Sequence, residues 1–134
     1  MIEKPSFRSY LNGELWTTAR PGYDAKDVPL DEVEEWCARV KQRGIKTILC
    51  LLDKEQLAYY KTLEVKRGLL GYYRLKGFKV IHRPVKDHCK PPVPESVLKQ
   101  ILSDFQTAQR PLLVHCSAGK DRSGSAAQYI QDHL

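Results

Sequence analysis

Hydrophobic and polar positions alternate between two periods along this chain. Phe7-Arg8-Ser9-Tyr10 and Leu15-Trp16-Thr17-Thr18 flank Asn12-Gly13, the mark of a short β-hairpin. Arg20-Pro21-Gly22 ends the second strand. From Asp31 the period changes to that of a helix: Val33, Trp36, Cys37 and Val40 fall at i, i+3, i+4 and i+7, and Gly44 stops it. Asp31 is placed to cap this helix, with Glu32, Glu34 and Glu35 at its positive end. Ile45 to Leu52 is nearly continuous apolar sequence, as in a strand covered on both faces. Residues 53–67 read as a helix with Leu57, Tyr60, Leu63 and Glu64 in register, and Gly68, Gly71 and Gly77 loosen the stretch after it.

Phe78-Lys79-Val80-Ile81-His82 predicts another strand. It runs into Arg83-Pro84-Val85-Lys86-Asp87-His88-Cys89-Lys90-Pro91-Pro92, where three prolines impose a loop. Pro94 and Glu95 open a helix with Val97, Leu98, Ile101, Leu102, Phe105 and Ala108 on one face. A final strand, Pro111 to Val114, leads through a short loop to a helix from Ser123 to His133. Strands alternating with helices predict an α/β fold. Its central, mostly parallel sheet would be flanked by helices, with the loop between the last strand and the last helix at a strand's carboxyl end.

That loop carries the chemistry. In His115-Cys116-Ser117-Ala118-Gly119-Lys120-Asp121-Arg122-Ser123 a cysteine and an arginine are separated by five residues, with a glycine between them and a hydroxyl after the arginine. A loop entering a helix N-terminus offers backbone N–H groups to an anion. The same helix end favours a thiolate at Cys116. The guanidinium of Arg122 can hold two phosphate oxygens at once. Ser117, Ala118, Gly119, Lys120, Asp121 and Arg122 are therefore the candidate phosphate-binding residues, with Gly119 letting the loop curl. Ser123 reads equally as a donor to the Cys116 sulfur and as a helix cap.

The string resembles the H-C-x5-R-S/T signature of the cysteine-dependent protein tyrosine phosphatase superfamily. Leu15-Trp16 leading to Ala19-Arg20-Pro21, and Gly44-Ile45-Lys46-Thr47-Ile48 after the helix, resemble the front half of its compact dual-specificity branch. The resemblance implies metal-independent hydrolysis of phosphate monoesters through a cysteinyl-phosphate, with no cofactor. Its substrates would be phosphotyrosine or phosphoserine/threonine proteins. Cys116 would be the nucleophile, Arg122 the transition-state clamp and His115 a support of the loop by hydrogen bonding. Pro84-Val85-Lys86-Asp87 resembles the general-acid loop, which makes Asp87 the implied acid and leaves Asp121 as competitor. Asp87-His88 followed by Pro91-Pro92, and the Ala-Gly-Lys of the signature, are also similar to phosphoinositide 3-phosphatases. That keeps a phosphoinositide or inositol phosphate substrate as an alternative, although Ser117 stands where that branch carries a second basic residue. A phosphate-binding module without turnover is the reading from another class. Only twelve residues follow Arg122, where the family carries further helices, so residues 1–134 correspond to one catalytic domain, either minimal or shortened.

Composition narrows the rest. The chain has 134 residues, 42% hydrophobic and 28% charged, ordinary for one globular domain. Net charge is +6, but the cations are scattered and no nucleic-acid motif accompanies them, so attraction of phosphorylated substrates is the expected use. Cys37, Cys50, Cys89 and Cys116 lie far apart without a C-x-x-C pair. That argues against a zinc site or disulfide scaffold and for a reduced, cytoplasmic setting. Cys50 and Cys89 are candidate partners of an oxidised Cys116, with inert thiols as the preferred reading. Tyr59, Tyr60, Tyr72 and Tyr73 are candidates to line a pocket, with helix packing as the preferred reading. Met1-Ile2-Glu3-Lys4-Pro5 lacks the apolar stretch of a secretory leader, and no apolar run approaches a membrane span.

Overall fold

Five strands form one sheet in the order β1-β2-β5-β3-β4. The computed structural model describes residues 6–134; Met1–Pro5, the segment that bears on a secretory leader, lie outside them. β1 (Arg8–Tyr10) pairs antiparallel with β2 (Leu15–Thr18). β3 (Thr47–Cys50), β4 (Lys79–His82) and β5 (Leu112–His115) run parallel to β2 and to each other. Central β5 pairs on both sides, Val114 opposite Thr17 and Leu49. The mixed, mostly parallel sheet is as the sequence predicts.

The strands alternate their side chains between two apolar layers. Ile48 and Cys50 face one layer, with Trp36 and Val40 of α1 (Leu30–Gln42) and Tyr72 and Tyr73 of α3 (Gly68–Leu75). Leu49 and Leu51 face the other, with Ile101 and Phe105 of α4 (Glu95–Thr107) and Ala126, Ala127 and Ile130 of α5 (Asp121–Asp132). The α1 and α4 helices turn their predicted apolar stripes inward, α1 burying Val33, Trp36, Cys37 and Val40 and α4 burying Ile101 and Phe105. A bidentate pair, Arg83 Nε and Nη2 to Asp104 at 2.8 Å each, ties the end of β4 to α4 where the proline-rich loop begins.

Three expectations change. The α1 helix starts at Leu30, so Asp31 sits in its first turn, where its carboxylate accepts from the Glu32 amide, and Pro29 takes the cap position. The stretch from 53 to 67 is not one helix. A short α2 (Lys54–Leu57), capped by the Asp53 carboxylate accepting from the Gln56 amide, passes into a 3-10 segment, Ala58–Lys66. Tyr60 leaves helical geometry there, at φ −107° and ψ 46°, and its hydroxyl is committed to the Pro21 carbonyl at 2.7 Å. The next helix, α3, occupies the stretch the glycines were read to loosen.

Candidate active site

The loops leaving the carboxyl ends of β2, β3, β4 and β5 meet over the sheet. Cys116 follows β5 directly, is buried, and hydrogen bonds with Ser123, Sγ to Oγ 3.3 Å. Ser123 lies inside the first turn of α5, past the cap position at Lys120. Its hydroxyl therefore serves the sulfur rather than the helix end. Gly119 has φ +74°, and a Cβ there would come within 2.5 Å of the Ala19 nitrogen. The loop is pressed against the backbone after β2 so closely that only glycine fits.

Arg122 is 2% exposed. Its Nη1 donates to the carbonyls of Val85 (2.7 Å) and Leu51 (3.3 Å) and to Oε1 of Gln56 (2.9 Å). Its Nη2 is 3.2 Å from Asp87 Oδ2. That contact is an ion pair without hydrogen-bond alignment, because Nη2 is buried with no hydrogen-bond partner among the described residues. One face of the guanidinium is thus fixed by the protein, while the other keeps a donor to spare.

Asp87, after β4, is 27% exposed at its side chain. Gln56 Nε2 donates to Asp87 Oδ2 at 3.1 Å, and the His88 amide donates to Oδ1 at 2.9 Å. The His88 ring is 92% exposed and loosely paired with the same carboxylate at 3.7 Å. A cavity of about 190 Å³ is lined by Cys116, Ser117, Ala118, Asp121 and Arg122, by Asp87 and His88, and by Tyr23. Both candidate acids, Asp87 and Asp121, therefore face one space with the cysteine and the arginine. Asp87 is the one in contact with Arg122. A groove of about 680 Å³ adjoins this cavity across Tyr23 and Ala118. It is lined by Gly119 and Lys120, by the acidic Asp24, Glu32 and Glu35, and by the basic Arg8 and Arg39.

His115, the last residue of β5, is fully buried. Its Nδ1 lies 3.2 Å from the Cys116 carbonyl and its Nε2 2.9 Å from the Tyr73 hydroxyl. A carbonyl only accepts, so Nδ1 carries the proton and neutral Nε2 accepts from Tyr73. Burial pushes the imidazole down from 6.5 to about 4; the backbone bond to Cys116 opposes this, while Arg122, Arg20 and His82 add to it. Trp36 and Tyr73 pack on the ring at centroid distances of 5.3 and 5.8 Å.

Sequence reasoning passed over three participants. Gln56 carried no motif. Tyr73, expected as helix packing, also orients His115 through its hydroxyl. Arg20 stood out only as part of a string. It is 3% exposed and grips Ser117 twice, its amide donating to the Ser117 carbonyl at 3.0 Å and its Nε to Ser117 Oγ at 3.2 Å. Its other nitrogens donate to Tyr60 Oη and the Ala25 carbonyl, and Tyr59 lies under the guanidinium at 4.8 Å. All four cysteines are free. Cys37 and Cys50 are buried, which raises each thiol to about 12, and Cys89 is exposed. Among the described residues no group of three or more His, Cys, Asp or Glu could hold a metal ion, and no helix is long and apolar enough to cross a membrane.

A family model described as "Tyrosine phosphatase family" matches residues 74–134, the part that holds the loop of Asp87, β5 and α5. The kinase associated phosphatase, solved with its catalytic-site cysteine replaced by serine, superposes with a TM-score of 0.68 at 22% identity, over 100% of this chain and 78% of that one. This is the fold of the cysteine-based tyrosine and dual-specificity phosphatase superfamily. The core catalytic domain of the PP-IP phosphatase SIW14 from S. cerevisiae shares the phosphatase fold with a TM-score of 0.60 at 19% identity, covering 98% of this chain and 68% of that one. TpbA of P. aeruginosa, in complex with pTyr, gives 0.55 at 13%, covering 98% and 80%. No curated protein sequence matches the chain significantly.

Proposed function

We propose that the chain is a phosphomonoesterase acting on phosphorylated proteins through a cysteinyl-phosphate. The observation that carries this is the convergence of Cys116, Arg122 and Asp87 on one cavity of about 190 Å³. The Cys116 thiolate attacks phosphorus and forms an S–P bond as the P–O bond to the leaving group breaks. Asp87 gives its proton to the departing oxygen. Arg122 holds the equatorial oxygens, with Nη2 as the donor that the protein leaves unused. Water then attacks phosphorus, Asp87 takes its proton, and the S–P bond breaks with Ser123 donating to the leaving sulfur. Thiolate, guanidinium and carboxyl group together supply nucleophile, charge and proton, so this chemistry calls for no metal ion. Arg20 and His115 hold the loop by hydrogen bonds to Ser117 and to the Cys116 carbonyl.

The groove beside the cavity favours protein over inositol polyphosphate. Asp24, Glu32 and Glu35 line it beside Arg8, Arg39 and Lys120; a groove of mixed sign suits a polypeptide, whereas a ring carrying several phosphates calls for an excess of cations. Lys120 and the likeness to a PP-IP phosphatase support the inositol reading. A panel of phosphopeptides and inositol phosphates decides between them: turnover confined to the inositol compounds overturns the protein assignment.

The mechanism is tested with chelator-treated protein. Wild type releases phosphate from aryl phosphates, and Cys116→Ser loses turnover while keeping affinity for the substrate, since serine has no stable anion near neutral pH. Asp87→Asn slows hydrolysis of phenyl phosphate by about 10²–10⁴-fold and of p-nitrophenyl phosphate far less, because nitrophenolate leaves without a proton. Asp121→Asn, the control, shows no such dependence. Wild type that binds phosphate without releasing it from any ester is a binding module.

A further inference from the structure

Among the described residues, Gln56 is the one side chain that hydrogen bonds with both charged groups of the reaction. It is 7% exposed, on α2, and its backbone is fixed by the Asp53 cap. Its Oε1 accepts from Arg122 Nη1 at 2.9 Å and its Nε2 donates to Asp87 Oδ2 at 3.1 Å. The amide is thus oriented by chemistry: its oxygen meets the cation and its nitrogen the carboxylate. The flipped amide would set NH₂ against guanidinium and oxygen against carboxylate, losing both bonds. Arg122 is anchored independently by the carbonyls of Val85 and Leu51. Asp87 is not: besides Gln56 and Arg122, its carboxylate meets, among the described residues, only its own neighbour, through the His88 amide and the exposed His88 ring. The guanidinium can do without Gln56 more easily than the acid can.

We propose that Gln56 is a positioning residue that holds the Asp87 loop over the catalytic cavity, in register with Arg122. The inference rests on the reading of Asp87 as general acid. When a phosphate takes up Arg122 Nη2, Asp87 exchanges its ion pair for the substrate. The amide bond from Gln56 then keeps the carboxyl group within reach of the leaving oxygen. A proton donor displaced by about 1 Å loses on the order of 10²-fold in rate. Gln56 is therefore worth most where the acid is worth most.

The test uses Gln56→Leu, which removes both bonds, and Gln56→Glu, which keeps an acceptor for Arg122 but cannot donate to the Asp87 carboxylate. Both are compared with wild type and Asp87→Asn on phenyl and p-nitrophenyl phosphate, folding being checked by thermal melts. Both Gln56 variants should lose about 10–100-fold in kcat on phenyl phosphate and clearly less on p-nitrophenyl phosphate. The double variant Gln56→Leu/Asp87→Asn should be no slower on phenyl phosphate than Asp87→Asn alone, because a positioner has nothing left to position. Equal losses on both substrates, additive with Asp87→Asn, would mean that Gln56 only supports Arg122 or the fold, and the proposal fails while Asp87 keeps its role. If Gln56→Leu does not fold, Gln56→Glu decides alone: leaving-group dependence matching that of Asp87→Asn supports the proposal, and its absence overturns it. If Asp87→Asn itself shows no leaving-group dependence, both the acid assignment and this inference fall.

Discussion

At the scale of single residues, the site is built by neutralising some groups and leaving others charged. His115 stands in the signature string, yet its environment disfavours a second proton on the ring. Burial outweighs the carbonyl bond and holds it near 4, and the positive fields of Arg122 and Arg20 act in the same direction. The unfolded chain takes up a proton here below about 6.5, whereas the folded chain does so only near 4. Between those values the unfolded state binds more protons, so this residue's contribution is complete above 6.5 and is lost as pH falls toward 4. The loss over that window is on the order of 3 kcal/mol. Urea unfolding of wild type and His115→Asn at pH 7 and pH 4.5 measures it. The wild type should lose about 2–3 kcal/mol more than the variant, carboxylate titrations being common to both. Parallel losses would show that His115 is not held neutral.

At the scale of elements, legibility followed contiguity and periodicity. The α1, α4 and α5 helices were legible because a solvent-facing helix packed on a sheet must repeat its apolar positions every three or four residues. β3 was legible because both its faces are covered. Cys116, Gly119, Arg122 and Ser123 were legible because one turn of chain supplies them all. Gln56, Arg20 and Tyr73 were not, since each enters from a different element and its role exists only after the sheet has formed. The stretch from 53 to 75 is illegible for a separate reason: a glycine inside a helix looks like a breaker until its contacts are known. A Cβ at Gly71 would lie 2.5 Å from the Lys66 carbonyl oxygen and 2.7 Å from Arg67 Cβ, so glycine is there to let α3 fold back on the 3-10 segment. Helix propensity favours alanine by about 1 kcal/mol, but overpacking against backbone costs about 1–3 kcal/mol. Gly71→Ala should therefore destabilise the protein in urea melts; a stabilised variant would mean the contact relaxes freely.

At the scale of the whole molecule, Arg122 is where the fold and the site become one object. β5 is central, with β2 on one side and β3 and β4 on the other, and loops after β3 and β4 send Leu51, Gln56 and Val85 to a single guanidinium nitrogen. A buried cation so held organises the carboxyl edge of the sheet, and its Nη2, without a hydrogen-bond partner among the described residues, is the donor proposed to meet a phosphate. Replacing it therefore has two consequences that one experiment can separate. Arg122→Met leaves buried acceptors unpaired and should lower stability by about 1–3 kcal/mol or more. It also removes the proposed anion anchor. Orthovanadate at about a hundred times its Kd should stabilise wild type by about 2.7 kcal/mol, read as a rise in Tm, and should leave Arg122→Met unmoved. Arg122→Lys keeps a charge but cannot span the same acceptors and still present a second donor, so a lowered Tm and a reduced vanadate shift are expected together. A variant with a wild-type Tm and a full vanadate shift would place the phosphate anchor elsewhere in the loop.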